Sequence, residues 1–162
     1  MKLARSYEYE GRTPDVSLML SMPGLEYLRG ILRGDYPAAP IAATLDFELV
    51  ELDHGRAVFE GTPRRFAYNP LGGVHGGWAA TILDSALGCA VHTTLPAGRY
   101  YTTIDLSISL VRALTERTQR VRCEAHVIHA GSSVATAEAK LVDDRGQLCA
   151  HGTTTCLIMA PR

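Results

Sequence analysis

The chain has 162 residues, 46% hydrophobic and 20% charged, with a net charge of -1 at pH 7. This is enough material for one domain with a real core. It lacks the basic excess expected of a protein whose main partner is nucleic acid. The four cysteines, Cys89, Cys123, Cys149 and Cys156, form no CxxC pair. Their spacing gives no metal site, and free thiols in a reducing compartment are expected. The first residues, MKLARSYEYEGR, are polar and carry no apolar core, so no secretory signal is expected. No apolar stretch is long enough to span a bilayer as a helix, and the expected location is cytoplasmic, with no membrane partner.

Residues 1–14 read as a loose polar arm carrying Gly11 and Pro14. Asp15 is a candidate cap for a short helix over Val16–Ser21. Ser21 is a candidate cap for a second, with Pro23 in its first turn. Leu25, Leu28, Ile31 and Leu32 then recur at helical spacing, and Gly34 ends the helix. Pro37 and Pro40 close this N-terminal segment. Leu45, Phe47 and Leu49 alternate with polar residues as a half-buried strand. Asp53-His54-Gly55 is a turn, and Ala57–Glu60 returns as the hairpin partner.

Pro63 to Pro70 delivers the chain to its most unusual stretch. Asn69-Pro70 and Gly72-Gly73 are turn chemistry. Gly76-Gly77 opens a run from Trp78 to Val91 that is apolar nearly all round, which predicts a buried helix ending near His92–Pro96. One carboxylate, Asp84, sits inside it. A lone acid there is costly unless it is paired or used. Beyond the Pro96–Gly98 turn the sequence reads as strands: Tyr100–Val111, Thr118–Ala130, Ser133–Val142 and Gln147–Met159. Their short connections predict an antiparallel meander. With no repeat or linker, residues 1–162 read as a single domain, 1–40 an arm and helical segment and 41–162 the core. The class is α+β. A curled antiparallel sheet wrapped round one long helix is the hot-dog fold.

The nine residues Asn69-Pro70-Leu71-Gly72-Gly73-Val74-His75-Gly76-Gly77, followed by Asp84, resemble the signature of PaaI-like (phenylacetate-degradation type) acyl-CoA thioesterases. The resemblance runs from about Gly24 to the end and includes Thr102–Leu106 and His129–Ser132. HGG alone is a weak signal. With an Asn six residues before the His and an Asp nine after it, at a loop-to-helix junction, it is a specific one.

Elementary chemistry supports that resemblance. The first N–H groups of a helix lack intrahelical partners and attract negative charge. Gly76 and Gly77 have no side chains to block a ligand atom. The resemblance makes the Gly76 N–H the oxyanion donor and gives Asn69 a supporting polar role at the attacking group or water. It makes Asp84 either the nucleophile or the base that activates water, and the apolar Ala80, Leu83, Leu87 and Gly88 around it would strengthen either role. It makes Thr103 a hydroxyl beside that acid. His75 is either a substrate contact or a turn residue, and no acid near it supports a Ser-His-Asp arrangement. The resemblance sets His129, Gly131 and Ser132 near the pantetheine and phosphates of coenzyme A, and Arg64, Arg65 and Arg112 are candidate phosphate partners.

Gly76 and Asp84 are eight residues apart on one helix, roughly 12 Å along its axis. One scissile carbonyl cannot sit beside both in a single chain. The expectation is a two-fold homodimer with antiparallel helices and two composite sites, and the resemblance extends it to a tetramer of two dimers. The expected reaction is hydrolysis of an aryl- or medium-chain-acyl-CoA to a carboxylate and free CoA, with no metal or other cofactor. The acyl pocket is expected from the N-terminal helical segment, Trp78, Leu83 and the sheet. An enoyl-CoA hydratase, which relies on a paired Asp and His near the helix start, and a non-catalytic acyl-CoA binder are the alternatives.

Overall fold

Helix α4, Gly76–His92, is the element on which six strands close: β1 (Phe47–Asp53), β2 (Arg56–Gly61), β3 (Tyr100–Leu110), β4 (Val121–Ala130), β5 (Val134–Val142) and β6 (Leu148–Met159). The computed structural model describes residues 1–11 and 15–161. Pro14 of the expected arm lies outside the described residues. The strands form one sheet in the order β1-β2-β4-β5-β6-β3, with every neighbouring pair antiparallel. The sheet covers α4, and Ile82, Leu83, Ala86, Leu87, Ala90 and Val91 are fully buried against it. Burying such side chains is worth roughly 1.5–3 kcal/mol each for the larger ones, which is why this run can be apolar almost all round.

The expected meander is corrected. Strands β4, β5 and β6 do follow one another, but β3 lies beyond β6, and β4 pairs with β2. The physical reason is the connection over residues 111–120. It is long enough to carry the chain across the sheet, and its turn is closed by Thr118 N–H on Thr115 O (2.9 Å) and Thr115 N–H on Thr118 Oγ1 (2.9 Å). The strand starting there begins at Val121 rather than Thr118.

The N-terminal segment also differs in detail. Asp15 does cap a short helix α1 (Val16–Leu20), its side chain accepting from Leu18 N–H at 3.0 Å. Ser21 closes α1 rather than opening the next helix, and Pro23 is the cap of α2 (Gly24–Arg33), which Gly34 ends as expected. Pro40 opens a helix α3 (Pro40–Leu45) instead of closing the segment, because proline at a first helical position gives up no hydrogen bond. Leu45 therefore belongs to α3, and β1 starts at Phe47. The arm is exposed and irregular over 1–11, yet it is anchored. Arg5 donates to Thr44 O (2.6 Å) and Ala43 O (3.1 Å), and its guanidinium lies 3.8 Å from the Phe66 ring centroid.

Candidate active site

The Asn69–Gly77 loop is built by its own side chains. Asn69 Oδ1 accepts from Leu71 N–H at 2.9 Å and Gly73 N–H at 3.4 Å, and Asn69 N–H donates to Gly73 O at 2.8 Å. This is an Asx-type turn, and it leaves the Asn69 amide NH2 without a partner among the described residues. Val74 N–H is held by Leu114 O at 2.9 Å, which ties the loop to the segment after β3.

The four orphan donors of the α4 N-terminus can then be accounted for one by one. His75 N–H donates to Ala67 O at 2.7 Å. Gly77 N–H donates to His75 Nδ1 at 2.9 Å, so His75 is the N-cap. Trp78 N–H donates to His75 O at 2.9 Å. The Gly76 N–H is the one left over among the described residues. With Nδ1 accepting, a neutral His75 ring carries its proton on Nε2, a second donor at the same helix end. A Cβ on Gly76 would sit 2.6 Å from Leu110 Cδ1, so a side chain there would crowd both the strand and the approach to this donor.

A cavity of about 280 Å³ opens at this helix end, lined by His75, Gly76, Leu110, Arg112, Leu114 and Cys149, among others. Of the three arginines singled out from the sequence, Arg64 is paired with Asp46 at 2.9 Å and Arg65 with Glu116 through two contacts of 2.7 and 2.8 Å. Arg65 holds Glu116 below the usual carboxylate range. Arg112 has no ion pair among the described residues and lines the cavity itself. Apart from Arg112, the cavity's Leu110, Leu114 and Cys149 escaped the sequence reading as site residues, since nothing in their spacing sets them opposite a helix start 34 to 73 residues away.

Asp84 lies further along α4, partly exposed, on the stripe Gly77–Thr81–Asp84–Ser85 that the sheet leaves open, while Gly88, a turn further on, is buried. Its Oδ1 accepts from Thr103 Oγ1 at 3.2 Å. A β-bulge at Ile104 makes this possible: the pairing with β6 shifts between Thr103 and Asp105. A bulge reverses which residues face inward. Tyr101 and Thr103 face α4 before it, and Ile108 and Leu110 after it, while Asp105 and Ser107 turn away. Thr103 meets the acid and Leu110 meets Gly76 on one strand for that reason.

The sequence-derived residues thus fall into two groups at opposite ends of the sheet. One row of paired residues runs Thr103–Cys156–Ala135–Ala130, so the His129–Ser132 turn stands at the Asp84 end. Another runs Leu110–Ala150–Leu141–Cys123–Phe59, and there lie Gly76, His75 and, through Val74 and Leu114, the Asn69 loop. Trp78 and Leu83 belong to neither group. Both are buried in the core, Trp78 with its indole N–H on Leu45 O at 2.7 Å. Among the described residues no three His, Cys, Asp or Glu side chains gather to hold a metal ion, and no helix is long and apolar enough to cross a membrane.

With this geometry in hand, likenesses to known proteins can be weighed. Residues 71–150 match the Thioesterase superfamily. A protein of Halobacterium salinarum named as a candidate esterase is 41% identical over 73 residues, which is 44% of this chain and 46% of that protein. The chain therefore matches about half the length of that curated relative. Among solved structures, a candidate thioesterase related to phenylacetic acid degradation from Ralstonia eutropha is 28% identical, with a TM-score of 0.74, covering 81% of this chain and 98% of that one. A mutant of the phenylacetic acid degradation protein PaaI from Thermus thermophilus is 26% identical, with a TM-score of 0.66, covering 74% and 98%. A Streptococcus mutans protein solved with bound acetyl CoA shares the fold at 19% identity and a TM-score of 0.65, covering 72% and 91%. By fold, motif and likeness together, the chain is a hot-dog protein similar to the PaaI-like members of the thioesterase superfamily.

Proposed function

We propose that the protein is an acyl-CoA thioesterase that hydrolyses an aryl- or medium-chain-acyl-CoA at a site completed by a second copy of the chain. The observation that carries this reading is the pairing of one unpartnered helix-start donor, Gly76 N–H, with one hydroxyl-supported acid, Asp84, on the same helix. The thioester oxygen sits on Gly76 N–H, where negative charge develops as the carbonyl is attacked. Such a donor typically lowers the barrier by roughly 3 kcal/mol. Asp84 either takes a proton from water as the water oxygen bonds to the carbonyl carbon, or attacks that carbon itself and is released by water in a second step. Either way the carbon–sulfur bond breaks, the carboxylate stays with the added oxygen, and the CoA thiolate leaves and takes up a proton.

Thr103 orients the acid or the water, and the Asn69 amide NH2 supports the same centre. His75 and Gly77 shape the helix end that receives the substrate. The carbonyl on Gly76 of one subunit is attacked by Asp84 of the other. The partner's end of the sheet also brings its His129, Gly131 and Ser132 turn to the same substrate, as a contact for pantetheine and phosphates. Arg112 supplies the positive charge. The two-fold partner docks along β3, an edge strand whose Ile104, Leu106 and Leu110 are exposed; an uncovered apolar edge invites pairing. A pair of such dimers forms a tetramer. We take residues 1–162 as one hot-dog unit working in the cytoplasm with no metal or redox cofactor.

The test is thiol release from a panel of aryl- and fatty-acyl-CoAs. The reading predicts turnover that Asp84→Ala lowers by roughly a hundredfold to ten-thousandfold. No thiol release from any substrate, or full activity in Asp84→Ala, contradicts it. Tight binding without turnover in calorimetry identifies a non-catalytic binder, and loss of enoyl absorbance identifies a hydratase.

A further inference from the structure

One helical turn beyond Asp84, the open stripe of α4 ends and Gly88 is buried. The bare backbone there is covered by a phenol. A Cβ on Gly88 would lie 2.3 Å from the Tyr101 hydroxyl oxygen and 2.9 Å from its ring carbons. Tyr101 stands two residues before Thr103 on β3, on the same inward face, so the two side chains follow one another along the helix. The Tyr101 ring centroid is 5.8 Å from that of His92, whose ring lies edge-on to Tyr27 of α2 at 6.2 Å. Tyr27 in turn stacks on Tyr36 at 5.4 Å. A file of rings thus starts beside the acid and leads between α4 and α2, away from the open stripe. His92 is only 5% exposed, and both its ring nitrogens lack partners among the described residues.

We propose that Tyr101 sets the length of the acyl group the enzyme accepts, by plugging at Gly88 a slot that would otherwise continue from Asp84 toward His92. This inference rests on the thioesterase reading above. An acyl group entering beside Asp84 finds side chains on most of the helix surface. Past Asp84 the next position of α4 without a side chain is Gly88, and there the phenol already covers the backbone. Acid and plug are four residues apart on α4, roughly 6 Å of helix rise, and the slot is taken to have that length. That length holds one aromatic ring or a straight chain of about four to six carbons. Burial, with Cys89, Cys156 and Asp84 close by, pushes the phenol well above its ordinary value, so the plug stays neutral and can sit against apolar substrate. Removing the ring uncovers the Gly88 backbone and the His92 ring behind it, and takes away no atom of Asp84, Thr103 or Gly76.

The experiment compares kcat/KM across straight-chain acyl-CoAs from acetyl to palmitoyl, with phenylacetyl-CoA added, for wild type, Tyr101→Phe, Tyr101→Leu and Tyr101→Ala. In wild type, kcat/KM falls about tenfold or more between hexanoyl- and decanoyl-CoA. Tyr101→Phe keeps the ratio of decanoyl to butyryl activity within about threefold of wild type, since the ring remains. Tyr101→Leu and Tyr101→Ala raise that ratio about tenfold or more, because each buried methylene gained is worth a sizeable factor. The wild-type profile carries the test even where a truncated variant does not fold. Wild type that hydrolyses palmitoyl-CoA as fast as butyryl-CoA overturns this inference alone, as does an unchanged ratio in folded Tyr101→Ala. Wild type that hydrolyses no thioester overturns the thioesterase reading, and this inference falls with it.

Discussion

At the scale of single residues, the chain spends stability in identifiable places. His92 is buried without a hydrogen-bond partner among the described residues, and burial pushes it down from 6.5 to about 4. The folded protein therefore holds His92 neutral where the unfolded chain has already taken up a proton. Stability from this group is complete above pH 6.5 and is lost as pH falls toward 4, by about 3 kcal/mol in all. Denaturation curves at a series of pH values should show this fall, and His92→Phe should flatten it. An equal fall in His92→Phe would assign the effect elsewhere. Asp84 with Thr103 makes a second expectation. Thr103→Ser keeps the hydroxyl and should retain most turnover, whereas Thr103→Val should lower kcat by about tenfold or more with little change in KM. Equal activity in the two variants would remove Thr103 from the acid's support. Asp84 was legible in the sequence because a carboxylate in an apolar helix demands an explanation. Arg112 was singled out with two other arginines, and what sets it apart is that Asp46 and Glu116 hold those two. Such pairings over eighteen and fifty-one residues leave no local pattern.

At the scale of elements, α4 and β3 do most of the positioning. Trp78 fixes α4 to α3 through the 2.7 Å bond to Leu45 O and is buried to 3% exposure. Trp78→Ala should cost about 3–5 kcal/mol in chemical denaturation. A cost below about 1 kcal/mol would mean α4 is held without it. The helix, its glycine start, the first hairpin and the extents of the last two strands were all legible, because apolar periodicity and turn residues are local signals. The place of β3 was not. A ten-residue connection reads alike whether it joins neighbours or crosses a sheet, and only the packed sheet decides between them. The bulge at Ile104 was equally hidden. Tyr100–Leu110 is rich in strand formers throughout, and the change of phase emerges only from which side chains meet α4 and which meet solvent. Helix α3 was missed for the opposite reason: two prolines in four residues look like a breaker unless one of them begins a helix.

For the whole molecule, the question is whether one chain can act alone. The two halves of the candidate chemistry stand at opposite ends of one sheet, with the Asp84 row at Thr103–Cys156–Ala135–Ala130 and the Gly76 row at Leu110–Ala150–Leu141–Cys123. No rotation of side chains brings them together. The proposed two-fold partner along the exposed β3 edge would, and it would also cover Ile104, Leu106 and Leu110. Sedimentation should therefore give a species of two or more chains at working concentrations, and a fully active monomer would contradict this. The most direct measurement of the composite site uses two disabled subunits. Asp84→Ala lacks the acid, and Gly76→Val blocks the donor. Each alone should be nearly inactive. In randomly mixed dimers, half pair one of each, and every such pair has one site with both groups intact, so about a quarter of wild-type activity should return. No recovery from verified mixed dimers of two folded subunits would place acid and donor in the same chain and contradict the account.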